Sequence, residues 1–343
     1  MIGYSVNPQC KPELGDLQVR NTTKPFRFKY VIPYSQTLSI RLAGMVGTID
    51  WGDGTTKSIT ATNTTHSKTY SIGGQYIVEL IGDISTLTYI NIANNSGNNL
   101  LYGNFSGIKN AVNLTTYDVR AAKICGNILD LANLTKLQSF IPLFSGMVGD
   151  IYAMRNMSDL RTFYGTYGLT GDISVLASLP LLTTIGIDTA ALYGNISCFS
   201  GKNNITYFGM NNFGRNRIVG DINALSNCVN ITTLSNFASG IYGDLSFLTN
   251  FTKLTLINHN GLNHSFETSN ALPAYGGEFY FLNTQWASSE HLDRFINALA
   301  VNAKNTGNRK FHSNGTGTPR TSASDDAVAY LQSIGWQVIT NKI

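Results

Sequence analysis

LTGDISVLASLPLLTTIGIDTAALYGNIS, residues 169–197, holds one full repeat and the start of the next. Gly171-Asp172-Ile173 returns 23 residues later as Gly194-Asn195-Ile196. Between them lies an apolar ladder of Ile173, Leu176, Leu179, Leu182, Ile185 and Ile187. Outward from this stretch, a Gly followed by Asp or Asn and then by Ile, Leu or Phe stands at Gly82, Gly103, Gly126, Gly149, Gly171, Gly194, Gly220 and Gly243. The spacings are 21, 23, 23, 22, 23, 26 and 23 residues, which is too regular for coincidence. The unit at Gly126 repeats the ladder as Ile128, Leu131, Leu134, Leu137 and Phe140. The unit at Gly243 does so as Leu245, Leu248, Phe251, Leu254 and Ile257.

A fixed period of roughly 20–29 residues with this leucine spacing is the mark of a leucine-rich repeat solenoid. One coil cannot bury its own apolar face, so coils stack and share a continuous core. The segment L-x-x-[ILF]-x-[apolar] predicts one short strand per coil, aligned into a parallel sheet. The Gly-Asp-Ile step is expected to turn the chain sharply onto the opposite side. Gly tolerates a positive φ there, and Asp or Asn can bond its own backbone. Leu192-x-Gly194-x-Ile196 is similar to the L-x-G-x-I segment of plant-type and bacterial-surface leucine-rich repeats. The unit at Gly194 is longer, and FGRNR (213–217) is expected to bulge.

The fold class expected is therefore mixed, with four parts. Residues 1–24 are polar and aperiodic and read as an N-terminal arm. Residues 25–81 carry strand signals: PFRFKYVIP (25–33), TLSIRLAG (37–44), a hairpin over 47–60 turning at Asp53-Gly54, and a further hairpin over 65–83. The solenoid spans 82–285. Residues 286–343 form an α/β cap, with an amphipathic helix over 288–304 whose buried face is Leu292, Phe295, Ile296 and Leu299. A strand follows at 309–315, then a helix over 327–334 capped by Ser324-Asp325-Asp326, and a last strand in WQVITN. A helical coil at the end of a solenoid covers the open core.

Ile49-Asp50-Trp51-Gly52-Asp53-Gly54-Thr55, then His66 and Tyr70, then Gly74-Gln75-Tyr76-Ile77-Val78, resembles a PKD-type β-sandwich, though short and with three residues between His66 and Tyr70. Such a resemblance raises a calcium site at Asp50 and Asp53. Two carboxylates fall short of the oxygen set calcium prefers, so turn aspartates are the expected reading. A PKD-like module followed by G-D-I-S and leucine-rich coils, with a TPRTSASDDAVAYLQSIGWQVITN ending, resembles surface proteins of Bacteroides-type bacteria and virion proteins of their phages.

Composition narrows function by exclusion. The net charge is +4 with 13% charged residues and no Lys/Arg run, which does not point to nucleic acid. Cys10, Cys125, Cys198 and Cys228 make no C-x-x-C pair, so small buried thiols are expected. The five histidines sit in no metalloprotease motif, and no nucleophile elbow or P-loop occurs. His259 and His264 are too weakly spaced to predict a metal, and no cofactor is implied. Asp150, Asp172, Asp221 and Asp244 recur at one turn position and are read as scaffold rather than as a catalytic pair. Asn-x-Ser/Thr occurs at Asn113, Asn133, Asn195, Asn230 and Asn250, and several of these sites share a repeat phase, which explains them without glycosylation. Met1 is followed by no basic n-region and apolar run, so no secretory signal is expected, and no stretch is long enough for a membrane span.

Side chains alternate across a strand, so the polar positions between the apolar ones face outward. The candidate ligand face is Tyr89, Asn91, Asp118, Arg120, Tyr164, Asp188, Tyr207, Asn211, Phe237, Asn258 and Asn260, with Thr116, Ser139, Ile141, Thr162, Thr184 and Thr233 among them. Phenol rings, amides and hydroxyls suit a glycan or a protein loop. Thr and Tyr also favour strands for their own sake, so both readings stand at this point. The function expected is a non-enzymatic binding or structural module. It is read first as a phage virion surface protein (fibre, decoration or tail-associated), docked through residues 1–81 to other virion proteins. The alternative is a bacterial cell-surface or secreted adhesin. Self-association is left open.

Overall fold

The structure, a computed structural model, describes residues 26–93, 100–120, 123–142, 146–166, 168–188, 191–211, 217–235, 240–258 and 264–343. The expected arm at 1–24, Cys10, most of the FGRNR bulge, Phe237, Asn260 and His259 lie outside the described residues, as do the side chains of Cys125, Asp188 and Asn211. The chain forms two compact units, residues 1–170 and 171–343, the division falling within the strand Gly168–Asp172.

In the first unit, two sheets run through both the N-terminal antiparallel strands and the coils; the one that holds Thr116–Arg120 is called the first sheet and the one that holds Lys123–Asn127 the second. One holds the antiparallel strands Thr56–Ile59, Gly47–Asp50, Gly74–Gly82 and Phe26–Ile32, then the coil strands Leu100–Asn104, Lys123–Asn127 and Gly146–Asp150. The other holds Thr64–Tyr70 and Gln36–Ala43, then Tyr89–Ala93, Thr116–Arg120, Ser139–Ile141 and Thr162–Gly165. The joins are antiparallel: Phe28 lies opposite Gly103, and Arg41 lies opposite Asn91. From there on the coil strands pair in parallel, as expected. The boundary expected at 81/82 falls inside the strand Gly74–Gly82. The hairpin over 47–60 forms, but with a wider loop in which Trp51 N donates to Thr55 O. The positive φ angles fall at Gly52 and Gly54 and not at Asp53.

Alternation decides what is buried. In Phe26–Ile32 the residues Phe26, Phe28, Tyr30 and Ile32 turn inward, and the residues between them are half-buried. In the coils one apolar side chain per strand stacks on its counterpart in the next coil. Tyr117, Phe140 and Phe163 form such a spine, with ring centroids 5.8 and 6.2 Å apart and planes within 27° of parallel. Offset stacking of this kind adds to the gain from burial alone.

The Gly-Asp-Ile step corrects the expectation of a sharp turn. The Gly lies in a strand of the second sheet, and the Asp or Asn after it caps a short 3-10 turn. The carboxylate or amide oxygen of Asn127, Asp150, Asn195, Asp221 and Asp244 accepts from the amide two residues on, at 2.8–3.0 Å. The glycine is required by the coil below it. Gly149 has φ +114°, and a methyl group there would come 2.6 Å from Asn127 Oδ1. Gly220 has φ +135° and would meet Asn195 Oδ1 at 2.4 Å. Gly149, Gly194, Gly220 and Gly243 each lie against the capping oxygen of the preceding coil.

A second seam runs along the start of the first sheet. One carbonyl accepts two successive amides of the next coil: Thr88 O from residues 115 and 116, Thr115 O from 138 and 139, Thr206 O from 232 and 233. Threonine hydroxyls reinforce it, Thr115 onto Thr88 O at 2.8 Å and Thr232 onto Thr206 O at 3.1 Å. Two of the sequon asparagines belong here. Asn113 donates to Ser85 O and accepts from Lys136 Nζ, and Asn230 donates to Asn203 O and accepts from Lys253 Nζ.

In the second unit one sheet holds Ala191–Asn195, Arg217–Asp221, Gly240–Asp244 and His264–Ser265. The other holds Thr184–Asp188, Tyr207–Asn211, Thr233–Ser235, Leu256–Asn258, Glu278–Tyr280, Lys310–Ser313 and Gln337–Thr340. The last three strands alternate with the helices Ser289–Asn302 and Asp325–Ser333, close to the expected bounds. Leu292, Phe295, Ile296 and Leu299 are buried as expected. Phe295 packs among Phe266, Phe281, Trp286 and Phe311, with centroids 5.2–5.9 Å away. Ser324 begins the second helix but makes no capping bond; its hydroxyl donates to buried Asp293 instead, at 2.5 Å. No described helix is long and apolar enough to cross a membrane.

Candidate functional site

The outward positions of the first sheet are set by the buried ones between them. In Thr116–Arg120, Tyr117 and Val119 point into the core, so Thr116, Asp118 and Arg120 emerge on the other side. The same parity places Tyr89, Asn91 and Tyr164 outward, each half-buried by its neighbours. These residues fall in the first unit. Tyr207 and Asn258 emerge in the second, with Thr184 and Thr233 beside them in the rows.

In the first unit the pairing register sets one row across the strands, Arg41 to Asn91 to Asp118 to Ile141. Asp118 is less open than alternation implies. Arg120 closes over it through two bonds, Nε to Oδ1 at 2.7 Å and Nη2 to Oδ2 at 2.9 Å. The paired aspartate holds the guanidinium cationic, against the opposing effect of burial. The Asp118 side chain is left 11% exposed and that of Arg120 50% exposed. Such a fork is stiff as well as strong. Tyr89 and Tyr164 lie near enough to act on the charge of Arg120.

Arg41 was not among the sequence candidates and joins this group. It comes from the sandwich strand Gln36–Ala43, whose Leu38, Ile40 and Leu42 point inward. Its guanidinium lies 5.5 Å from the centroid of the Tyr89 ring, and its Nε donates to Asn63 Oδ1 at 2.7 Å. The alternation in TLSIRLAG already set Arg41 outward; what the sequence lacked was the pairing that brings it beside Asn91.

In the second unit the ring of Tyr207 lies along its own strand over Gly209. A methyl group at Gly209 would sit 2.8 Å from the ring edge. Gly186 pairs with Gly209 on the neighbouring strand, so the floor beside the ring is bare backbone. Further along, Glu278 and Lys310 form an ion pair at 2.8 Å, and Tyr280 meets His312 edge to face at 5.1 Å. These four were also missed, although EFYFL and KFHS alternate clearly enough to place them.

The alternative sites dissolve into structure. Asp50 accepts from Gly52 N. Asp53 accepts from the amide and hydroxyl of Thr55 and pairs with Lys68 Nζ at 2.6 Å. Desolvation works to raise the Asp53 pKa, but Lys68 and Thr55 together hold it below the usual carboxylate range. His264 is buried against Gly243 O, and burial lowers its pKa to about 4. Among the described residues no three His, Cys, Asp or Glu side chains gather where a metal could be held. Cys198 and Cys228 are free thiols pushed up to about 11 by burial.

No protein-family model matches the chain, and no curated protein is significantly similar to it in sequence. Solved structures do resemble it. A plant peptide hormone receptor, RGFR1 in complex with RGF2, is 17% identical over 64% of this chain and 35% of its own, with a TM-score of 0.46. Internalin C2 of Listeria monocytogenes is 18% identical over 64% of this chain and 82% of its own, with a TM-score of 0.42. A Leptospira interrogans leucine-rich repeat protein is 12% identical over 68% and 62%, also at 0.42. The likeness is one of fold. The chain spans about a third of the first receptor, and at these identities the leucine-rich-repeat plan is all that is shared.

Proposed function

We propose that this chain is a non-enzymatic binding module whose outward first-sheet positions take a protein or glycan ligand. One observation supports this most directly. In the first unit Tyr89, Asn91, Tyr164 and the Asp118–Arg120 fork are fixed side by side on an open sheet, while the recurring Asp and Asn residues are used as caps. Tyr207 over Gly209 gives the second unit a comparable aromatic surface. Asp188, Asn211, Phe237, Asn258 and Asn260 complete the proposed set by their repeat phase.

The setting we propose is the surface of a bacteriophage virion, with residues 1–81 docking the chain to neighbouring virion proteins. The support is the order of modules, a PKD-like sandwich followed by G-D-I-S coils. We keep the division into arm, sandwich, coils and α/β cap as the working description of its parts.

Two experiments test this. Binding of the purified chain to host cells should fall at least about tenfold in the Tyr89→Ala/Tyr164→Ala double variant and stay unchanged in an Arg217→Gln control, since buried or stacked aromatics dominate such contacts. Equal binding by the double variant would sink the proposed face. Mass spectrometry of purified particles should find the chain as a stoichiometric component. Finding it instead in the host's surface fraction would replace the virion by the adhesin reading.

A further inference from the structure

The first unit carries more positive charge on its outward face than its own carboxylates neutralise. Arg120 is matched by Asp118. Arg41 is not matched: its partners are the neutral amide of Asn63 and the ring of Tyr89, and it makes no ion pair among the described residues. Further along the chain, the outward pair Glu278–Lys310 of the second unit is balanced. The first unit's cluster is therefore the place where an anion would be drawn in.

The rest of the cluster says what sort of anion. Arg41 and Asp118 lie in one row, one on each side of Asn91. At the usual strand separation their backbones are about 10 Å apart, close to the width of a disaccharide seated across the strands. The next row is Tyr89, Thr116, Ser139 and Thr162, a phenol ring followed by three hydroxyls. Within the first unit the described coil rows on this side hold one branched aliphatic side chain, Ile141, amid these polar groups. Rings that can stack on a pyranose face, hydroxyls and amides that match a polyol, and an uncompensated guanidinium belong to an acidic saccharide.

We infer that Arg41, Tyr89, Asn91, Asp118, Arg120 and Tyr164 form a single site for a carboxylate-bearing glycan, built across the junction of sandwich and coils. This rests on the proposed binding face and makes it specific. Arg41 supplies the free guanidinium edge that takes the sugar carboxylate. The Asp118–Arg120 fork positions Arg120 and offers its remaining N–H groups. Tyr89, fixed under Arg41, and Tyr164, three strands along, offer their rings to different sugar units of the chain. The sandwich is then part of the recognition surface as well as a support.

The test is binding of the full chain to hyaluronan hexasaccharide and polygalacturonate fragments, with neutral dextran fragments and dextran sulfate alongside. We expect binding to at least one uronate ligand, none to dextran, and weaker binding as salt rises. Arg41→Gln should weaken uronate binding by about tenfold or more, with Arg41→Lys between it and the parent, because lysine keeps the charge and loses the fork. Thermal melting of Arg41→Gln should match the parent, which separates lost recognition from lost folding. Dextran sulfate bound as tightly as the uronates, or an Arg41→Gln variant that binds normally, would overturn the inference. If dextran or a host protein binds and only the tyrosine variants abolish it, the binding face stands and its acidic specificity falls. If no ligand and no host cell binds, both fall.

Discussion

At the scale of single residues, the most constrained positions are the glycines of the repeat. Gly201 and Gly220 both have positive φ, +80° and +135°. A methyl group at Gly201 would meet nothing, whereas at Gly220 it would meet Asn195 Oδ1. Gly201→Ala should therefore cost only the left-handed backbone penalty, about 1 kcal/mol. Gly220→Ala should cost at least about 2 kcal/mol more, since neighbouring coils cannot give way without losing a cap. Urea denaturation of the two variants measures the difference. His264 gives a second residue-scale test. Folded, it takes a proton only near pH 4; unfolded, near 6.5. Between those values the unfolded chain binds more protons. The stability it contributes is complete above pH 6.5 and is lost as pH falls towards 4, by about 3 kcal/mol in all. The unfolding free energy of His264→Gln should fall less steeply over that window than the parent's. His66 is lowered in the same direction by burial and by Lys57, so part of the slope remains in the variant.

At the scale of elements, the helix Ser289–Asn302 is locked to the segment after it by one carboxylate. Asp293 is 3% exposed and accepts from the amide and hydroxyl of Thr321 and from the hydroxyl of Ser324. Asp293→Ala takes the main acceptor from those donors, of which the Ser324 hydroxyl is fully buried, and should cost about 2–4 kcal/mol, with Asp293→Asn losing less. Thermal melts of the two variants decide it. The elements themselves were largely legible in the sequence, because period-2 alternation and a fixed coil length are local properties. Tyr89, Asn91 and Tyr164 were placed outward on that basis alone. What escaped was whatever depends on a partner far along the chain. Arg41 joins the proposed face only because its strand pairs with Tyr89–Ala93, and no repeat spacing encodes that pairing. Ser324 looks like a cap by position, but Asp293 claims its hydroxyl. Asp118 reads as an open carboxylate, but Arg120 folds over it. The Gly-Asp-Ile step reads as a bend when each coil is considered singly. Its glycine answers to the coil before it.

At the scale of the whole molecule, the N-terminal antiparallel strands have a duty beyond their own packing. Phe26–Ile32 and Gln36–Ala43 pair with the first coil strand of each sheet in the first unit. Removing residues 1–83 would leave both coil strands as bare edges, and open edges invite pairing between molecules. Such a deletion should yield aggregated protein, seen as early elution in size-exclusion chromatography, while the full chain runs as a discrete species. The seam between coils has a different consequence. At Gly149, Gly194, Gly220 and Gly243 a glycine rests on a capping oxygen that Asp or Asn of the preceding coil supplies. A duplicated or lost repeat thus rejoins through the same contact it interrupted. Within each unit the coils are graduated like a ruler, and evolution can lengthen or shorten a unit in whole divisions of about 5 Å without redesigning its ends.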